Sequence, residues 1–166
     1  MKQFVLGITA AVLFAGCGGY EVPDEGVPSA PKEQGESSAL SSIVGKEVAA
    51  TDAMAIPALK GSIGVGQTIT LEGKIMGSDQ PFVNGHAVML VGDEATIESC
   101  DLMIDDPCKT PWDVCCVDPK TILSGTATVQ VVDANGKPVA AGLKGVSGLK
   151  ELSRVRVSGI VAPGSS

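Results

Sequence analysis

An alternation of polar and apolar residues, repeated in short segments after residue 66, is the feature that most constrains the fold. In the first segment, Gln67 to Ile75, an apolar residue or glycine stands at every second position, so one face of a strand is buried and the other meets solvent. Frequent glycine and β-branched residues favour strands and tight turns over helices. Further strands are predicted over residues 87–91, 126–132, 137–141 and 154–161, with a short helical turn over 148–152. The chain is therefore predicted to be mainly β.

Two of the predicted strands carry a glycine at the same step of the alternation, Gly73 and Gly159. A glycine inside a strand often marks a bulge or a close approach of another backbone. Five strands, two of them bent at glycine, resemble a small OB-like barrel over residues 61–163, and a small open sandwich is the alternative. The OB pattern places its helix between strands three and four, whereas the long insertion here falls between strands two and three.

The first 16 residues have the layout of a secretory signal peptide, with Lys2, an apolar run from Phe4 to Phe14, and two small residues before Cys17. The run is shorter than the roughly 20 apolar residues that a membrane-spanning helix needs. The stretch from Leu13 to Cys17 resembles the bacterial lipobox, except that Phe14 stands where that motif prefers leucine. The resemblance implies cleavage before Cys17 and a lipid on its sulfur; the alternative is a simple signal peptide, with Cys17 left as an ordinary thiol.

Residues 18–45 are rich in proline, glycine, serine and scattered acids, and such a segment buries too little apolar surface to offset the entropy of ordering it. We expect a disordered tether over residues 17–60, followed by a β domain over residues 61–166. The alternative for Leu40 to Leu59 is a short helix or strand that leads into the domain. No aspartate follows Cys17 at Gly18 or Gly19, which favours anchoring in the outer membrane over retention in the inner one. The domain is then expected to face the periplasm.

The insertion over residues 93–121 is rich in cysteine: it holds Cys100, Cys108, Cys115 and Cys116. If Cys17 carries lipid, an even set remains, and an oxidising compartment favours two disulfides. A bridge between the adjacent Cys115 and Cys116 would be strained, so each is expected to pair with one of the other two. Such bridges would staple a loop that is expected to have no core of its own.

Metal binding is the alternative for this loop. Four thiolates, or three with the single histidine, His86, are suitable ligands for zinc, iron or copper(I), although the spacing lacks the CxxC pairs of structural zinc sites. A redox-active dithiol is a third interpretation. A weak Ca²⁺ site is a further alternative, using Asp101, Asp105 and Asp106, although their spacing does not match an EF-hand.

The segment from Pro111 to Cys116 resembles a PWDxCC signature of small bacterial lipoproteins, which implies no particular activity. Trp112 is expected either to pack as a local core or to stack on a sugar or peptide. Between residues 93 and 118 the loop carries eight acidic residues and one lysine, whereas the chain from residue 119 onward is basic, so partial pairing of the two is expected. The predicted partner surface consists of Trp112, Asp105, Asp106 and Asp113.

The sequence does not favour an enzyme, since it has one histidine, no GxSxG elbow and no phosphate-binding loop. Nucleic-acid binding is also disfavoured, because the chain is acidic and has few aromatic residues to stack on bases. We therefore predict a non-enzymatic binding or interaction module of the cell envelope, with no cofactor and with a protein or glycan partner. The alternative is a thiol-based metal-binding or redox protein that uses the four cysteines.

Overall fold

The computed structural model describes residues 40–45, 53–60, 62–103, 105 and 107–163. The predicted signal segment, Cys17 and Asp106 lie outside these residues. The strands are β1 (Ala53–Met54), β2 (Thr68–Ile75), β3 (Val88–Gly92), β4 (Thr126–Gln130) and β5 (Arg154–Ile160). The helices are α1 (Ile56–Leu59) and α2 (Pro119–Gly125), with 3-10 turns at Cys100–Leu102 and Val146–Gly148. Residues 40–43 are also helical.

β2 is the centre of the sheet. It pairs with β5 along an antiparallel ladder that runs from Thr68 opposite Ile160 to Lys74 opposite Arg154. Its other edge pairs first with β1, in parallel, and then with β3, in antiparallel register. β3 in turn pairs with β4, and the five strands form one curled sheet, a half-barrel. The predicted mainly β fold is thereby confirmed.

The predicted strand over residues 137–141 is reduced to a single bridge between Val132 and Pro138. The Val139 N–H donates to the Val131 carbonyl oxygen and the Asp133 N–H to the Lys137 carbonyl oxygen, so Val132 and Pro138 form a non-hydrogen-bonded pair, a position at which proline needs no N–H. The insertion between β3 and β4 ends in α2, which sequence reasoning did not predict. The Asp118 carboxylate accepts hydrogen bonds from the N–H groups of Lys120 and Thr121, and Pro119 opens the helix.

The folded domain begins earlier than the predicted boundary at residue 61. Leu40 and Ile56 are fully buried, and both belong to the main hydrophobic core. β1 adds two residues to the sheet beside β2, and the Ile56 N–H donates to the Asp93 carboxylate over 3.3 Å. Val44 and Leu59 also pack against this core, so the described parts of the segment 40–60 belong to the domain rather than to the tether.

Gly73 allows β2 and β3 to approach closely. A Cβ at this position would lie 2.5 Å from the carbonyl oxygen of Gly92 and 2.7 Å from a methyl of Val91. Gly159, which sequence reasoning treated as equivalent, has open space around the corresponding position. The interpretation of strand glycine as a point of close backbone approach is therefore correct for Gly73 but not for Gly159.

Candidate functional site in the cysteine loop

We call residues 93–118 the cysteine loop. Val114 and Ile97 of this loop are almost fully buried with Met76, which directly follows β2. Trp112, Val117 and Ile122 pack against this group. The expectation that the loop has no core of its own was wrong, because its apolar residues are separated in sequence by acids and meet only in the fold. The loop is held in place by packing as well as by any bond between its cysteines.

An ion pair between a buried lysine and a partly exposed aspartate joins the cysteine loop to the sheet. The Lys74 side chain is only 6% exposed, and its ammonium group lies 2.9 and 3.0 Å from the two carboxylate oxygens of Asp101. It also donates to the Ser99 hydroxyl over 2.8 Å. Burial raises the pKa of Asp101, but hydrogen bonds from Ser99 and Lys74 outweigh it, so the pKa lies below its ordinary value. Asp101 therefore has a structural partner and is charged at neutral pH.

Other acidic residues of the loop also have structural roles. Asp93 is buried, and its carboxylate accepts from the N–H groups of Ala95 and Thr96 and from the Thr96 hydroxyl. Glu94 forms a paired contact with the guanidinium of Arg154 in β5, with a shortest distance of 2.9 Å. This contact confirms the expected pairing of the acidic loop with the basic C-terminal part of the chain.

Trp112 packs into the small core of the loop. Its indole N–H donates to the carbonyl oxygen of Asp79 over 3.0 Å, and its own carbonyl oxygen accepts from the Gly77 N–H over 2.8 Å. The ring is partly buried against the group that contains Met76 and Val114. Of the two roles considered for Trp112, this geometry matches that of a local core residue. A contact with a ligand would use only the exposed part of the ring.

The four cysteines of the loop lie at different depths. Cys100 is buried at the start of a 3-10 turn, Cys108 is half-buried, and Cys115 and Cys116 are exposed. The sulfurs of Cys108 and Cys115 lie within 4.8 Å of each other, and the sulfurs of Cys115 and Cys116 are 4.0 Å apart. The two predicted disulfides stay a prediction, and Cys108 with Cys115 is a pair that the fold brings near.

Asp113 completes a cluster with these two cysteines. One of its carboxylate oxygens lies within 4.8 Å of both sulfurs. The carboxylate accepts from the Thr110 hydroxyl over 2.9 Å and from the Cys115 N–H over 2.8 Å. Thr110 also lies 4.0 Å from the Cys108 sulfur, through its hydroxyl oxygen. Thr110 was not singled out in the sequence, because a lone threonine between a lysine and a proline gives no signal of this role.

The turn that builds the cluster contains a strained residue. Val114 has a φ of 53°, a left-handed conformation that is unfavourable for a β-branched side chain. Its side chain is fully buried in the small core, which supplies the packing that holds this conformation. The buried valine therefore fixes the chain direction between Asp113 and Cys115.

The charge of Asp113 controls the state of the neighbouring thiol. The hydrogen bond from the Cys115 N–H lowers the pKa of Asp113, while the carboxylate and the nearby Cys116 raise the pKa of Cys115 to about 12. The thiolate is the nucleophilic form of cysteine. With its pKa raised, Cys115 is protonated at neutral pH and is a poor nucleophile.

Two predicted ligand sets are not assembled by the described residues. His86 is exposed in the turn before β3, whereas the cysteine loop follows β3. The five residues of β3 span about 16 Å, which places the imidazole at the opposite end of that strand from the root of the loop. Of the proposed Ca²⁺ ligands, Asp101 is bound to Lys74, Asp105 is exposed, and Asp106 is outside the described residues.

Comparison of the chain with protein-family models, with curated proteins and with solved structures finds no significant match. The resemblance to small bacterial lipoproteins therefore stays a prediction from the motifs. Within the described parts of the chain, no helix has the length and apolar character needed to cross a membrane.

Proposed function

We propose that this chain is an exported lipoprotein, anchored through Cys17, that acts as a non-enzymatic binding module in the cell envelope. The proposal for the anchor rests on the signal-like run and the small residues before Cys17. The β domain would face the periplasm from the outer membrane, with the cysteine loop as its binding surface.

The exposed apolar residues of a well-anchored loop are the observation that carries the binding proposal. Leu102 is 56% exposed and Met103 is 39% exposed, directly after Asp101, which Lys74 holds in place. Glu98 and Asp105 are exposed nearby in the chain. Apolar side chains displayed from a fixed loop and flanked by charges are typical of protein contact surfaces, in which methionine is enriched.

A protein partner fits these residues better than a glycan does. Sugars are bound by exposed aromatic faces, and Trp112 of the loop is partly buried, whereas Leu102 and Met103 are aliphatic. The flanking acidic residues, Glu98 and Asp105, favour a partner whose apolar contact site has a basic rim.

The finer fold proposal is an OB-like barrel. Its support is the meander of β2, β3 and β4, together with the return of β5 to pair with β2. The open sandwich is the alternative. Neither class assigns a function, because these folds carry many unrelated binding sites.

The anchor is tested by expressing the full chain in a bacterial host and measuring the mass and location of the mature protein. We expect a mature N-terminus at lipid-modified Cys17 and recovery in the membrane fraction. Cys17→Ala should move the protein to the soluble fraction or leave it unprocessed, while the control Cys116→Ser should stay with the membrane. A mature wild-type protein without lipid would contradict the proposal.

The binding surface is tested with a photo-crosslinking residue at position 102 in the anchored protein. The control is the same residue at position 135, which is exposed in a turn far along the chain. We expect a discrete crosslinked protein band from position 102 only, which Met103→Asp weakens. Equal crosslinking from both positions, or none from position 102, would contradict a partner surface on the loop.

A further inference from the structure

We propose that Cys108, Asp113 and Cys115 bind one thiophilic divalent metal ion, with Zn²⁺ as the preferred ion. The proposal is independent of the binding function above, since it concerns different side chains and a different ligand. It also differs from the ligand sets expected from the sequence, which used His86 or all four cysteines.

The distances between the ligand atoms support this site. Zn–S bonds of about 2.3 Å and Zn–O bonds of about 2.0–2.2 Å place the ligands of a tetrahedral ion roughly 3.5–3.8 Å from one another. The three ligand atoms of the cluster already lie within 4.8 Å of one another. A contraction of about 1 Å closes the site, which side-chain rotation can supply in a surface turn where Cys115 is exposed.

Asp113 is oriented for this role by groups that do not themselves bind the ion. The Thr110 hydroxyl and the Cys115 N–H occupy one acceptor position on each of its oxygens. A carboxylate offers about four such positions, so lone pairs remain for a metal. Hydrogen bonds of this kind fix the orientation of a ligand and tune its affinity, which makes Thr110 a positioning residue.

The donor set selects the class of metal. Two thiols favour a soft or borderline ion over Ca²⁺ or Mg²⁺, which prefer oxygen ligands. Three protein ligands leave the fourth position of a tetrahedral zinc ion to water. Cys116 does not belong to the converging group, although its sulfur is 4.0 Å from that of Cys115. On binding, both thiols release their protons to solvent and coordinate as thiolates.

Metal binding and a Cys108–Cys115 disulfide exclude each other, because both use the same two sulfur atoms. The experiment therefore uses the full chain in detergent, reduced and freed of metal, then titrated anaerobically with Zn²⁺ and with Co²⁺ as a spectroscopic probe. We expect one equivalent of metal and a thiolate-to-cobalt charge-transfer absorption that Zn²⁺ abolishes by displacement.

Matched variants identify the ligands. Loss of a residue that only orients a metal ligand weakens metal binding by about 10–100-fold. Thr110→Val should therefore weaken Zn²⁺ binding by about 10-fold. Cys115→Ser and Asp113→Asn each remove a ligand itself and should weaken Zn²⁺ binding by more than about 100-fold. Cys116→Ser, a change of the adjacent exposed cysteine, and His86→Ala should leave affinity and stoichiometry unchanged. Circular dichroism of each variant confirms that the sheet is intact.

Three results would overturn the assignment. The first is no stoichiometric binding by the reduced wild-type protein. The second is an equal loss of affinity in Cys116→Ser and Cys115→Ser, and the third is dependence on His86. If Cys115→Ser is not folded, Cys108→Ser replaces it, with the same expected loss of binding and of charge-transfer absorption.

Discussion

Replacing Asp101 by asparagine tests how the cysteine loop is held on the sheet. The Lys74 ammonium group has three hydrogen-bond contacts, two to Asp101 and one to Ser99, and its side chain is 6% exposed. Asp101→Asn keeps the size of the side chain but leaves a buried cation with neutral acceptors only. Removing one partner of a buried ion pair is strongly destabilising, since the remaining charge keeps its desolvation cost.

The magnitude follows from the exposure of the two partners. Breaking a fully buried pair costs about 3–5 kcal/mol. The Asp101 side chain is 30% exposed, so water can approach the vacated side of the ammonium group. We therefore expect a loss of about 3 kcal/mol in the free energy of unfolding, the low end of that range. Asp105→Asn, which changes an exposed acid of the same loop, should cost less than about 0.5 kcal/mol.

Urea unfolding measured with two probes is the assay. Trp112 is the only tryptophan in the chain and belongs to the loop core, so its fluorescence reports on the loop. Far-ultraviolet circular dichroism reports on the sheet. If Lys74 couples the loop to the sheet, both transitions in Asp101→Asn shift together to lower urea concentration. A cost no greater than that of Asp105→Asn, or a loop transition that shifts alone, would refute this reasoning.

Further changes test the sheet, the domain boundary and the charge of Asp101. Gly73→Ala should lower the free energy of unfolding, measured in urea, by about 3 kcal/mol, because the new Cβ would lie 2.5 Å from the Gly92 oxygen. Gly159→Ala has open space for its Cβ and should be neutral or stabilise by up to about 1 kcal/mol. Ile56→Ala should cost about 3 kcal/mol, since this side chain is fully buried. Because the folded-state pKa of Asp101 is lowered, its contribution is complete above the ordinary value near about pH 4 and is lost as pH falls through the folded-state pKa. Wild-type stability should therefore fall more steeply below about pH 4 than that of Asp101→Asn in an acid titration of urea midpoints.

Each of these predictions has a clear contrary result. Equal effects of alanine at the two glycines would mean that the close approach of β2 and β3 does not limit packing. A neutral Ile56→Ala would return the domain boundary to residue 61. If the urea midpoints of the wild type and of Asp101→Asn fell equally steeply with decreasing pH, the Asp101 carboxyl group would not be responsible for the loss of stability in acid.

Four of the five strands could be located from local signals in the sequence: β2, β4 and β5 alternate over five or more residues, and β3 is a short apolar run after the turn signal Asn84-Gly85. β1 has only two residues and shows no period. The predicted strand around Pro138 forms only one bridge, with Val132, because local alternation does not determine how far the pairing of two segments extends. The segment from Leu40 to Leu59 could be interpreted as a short helix or strand, but the burial of Leu40 and Ile56 could not be located because the segment shows no clear period.

The site was partly predictable for a different reason. Cysteines are rare enough that their clustering marks the loop, but the cluster geometry depends on the positive φ of Val114, a property that emerges from packing. Lys74 lies on the polar side of the alternation of β2, and it is buried only because the cysteine loop covers the end of that strand. Contacts between residues more than 20 positions apart, such as Lys74 with Asp101, leave no trace in local periodicity.

The early start of the domain has a mechanical consequence. If the chain is held at its N-terminus, tension reaches the domain first through the helical residues 40–43, where Leu40 is buried in the core, and then through the short parallel contact of β1 with β2 and through Ile56. The Ile56 N–H is bonded to Asp93, the first residue of the cysteine loop. A force that detaches β1 and Ile56 would therefore also break a hydrogen bond to the first residue of that loop. The segment that carries the force is thus connected to the loop that exposes Leu102 and Met103.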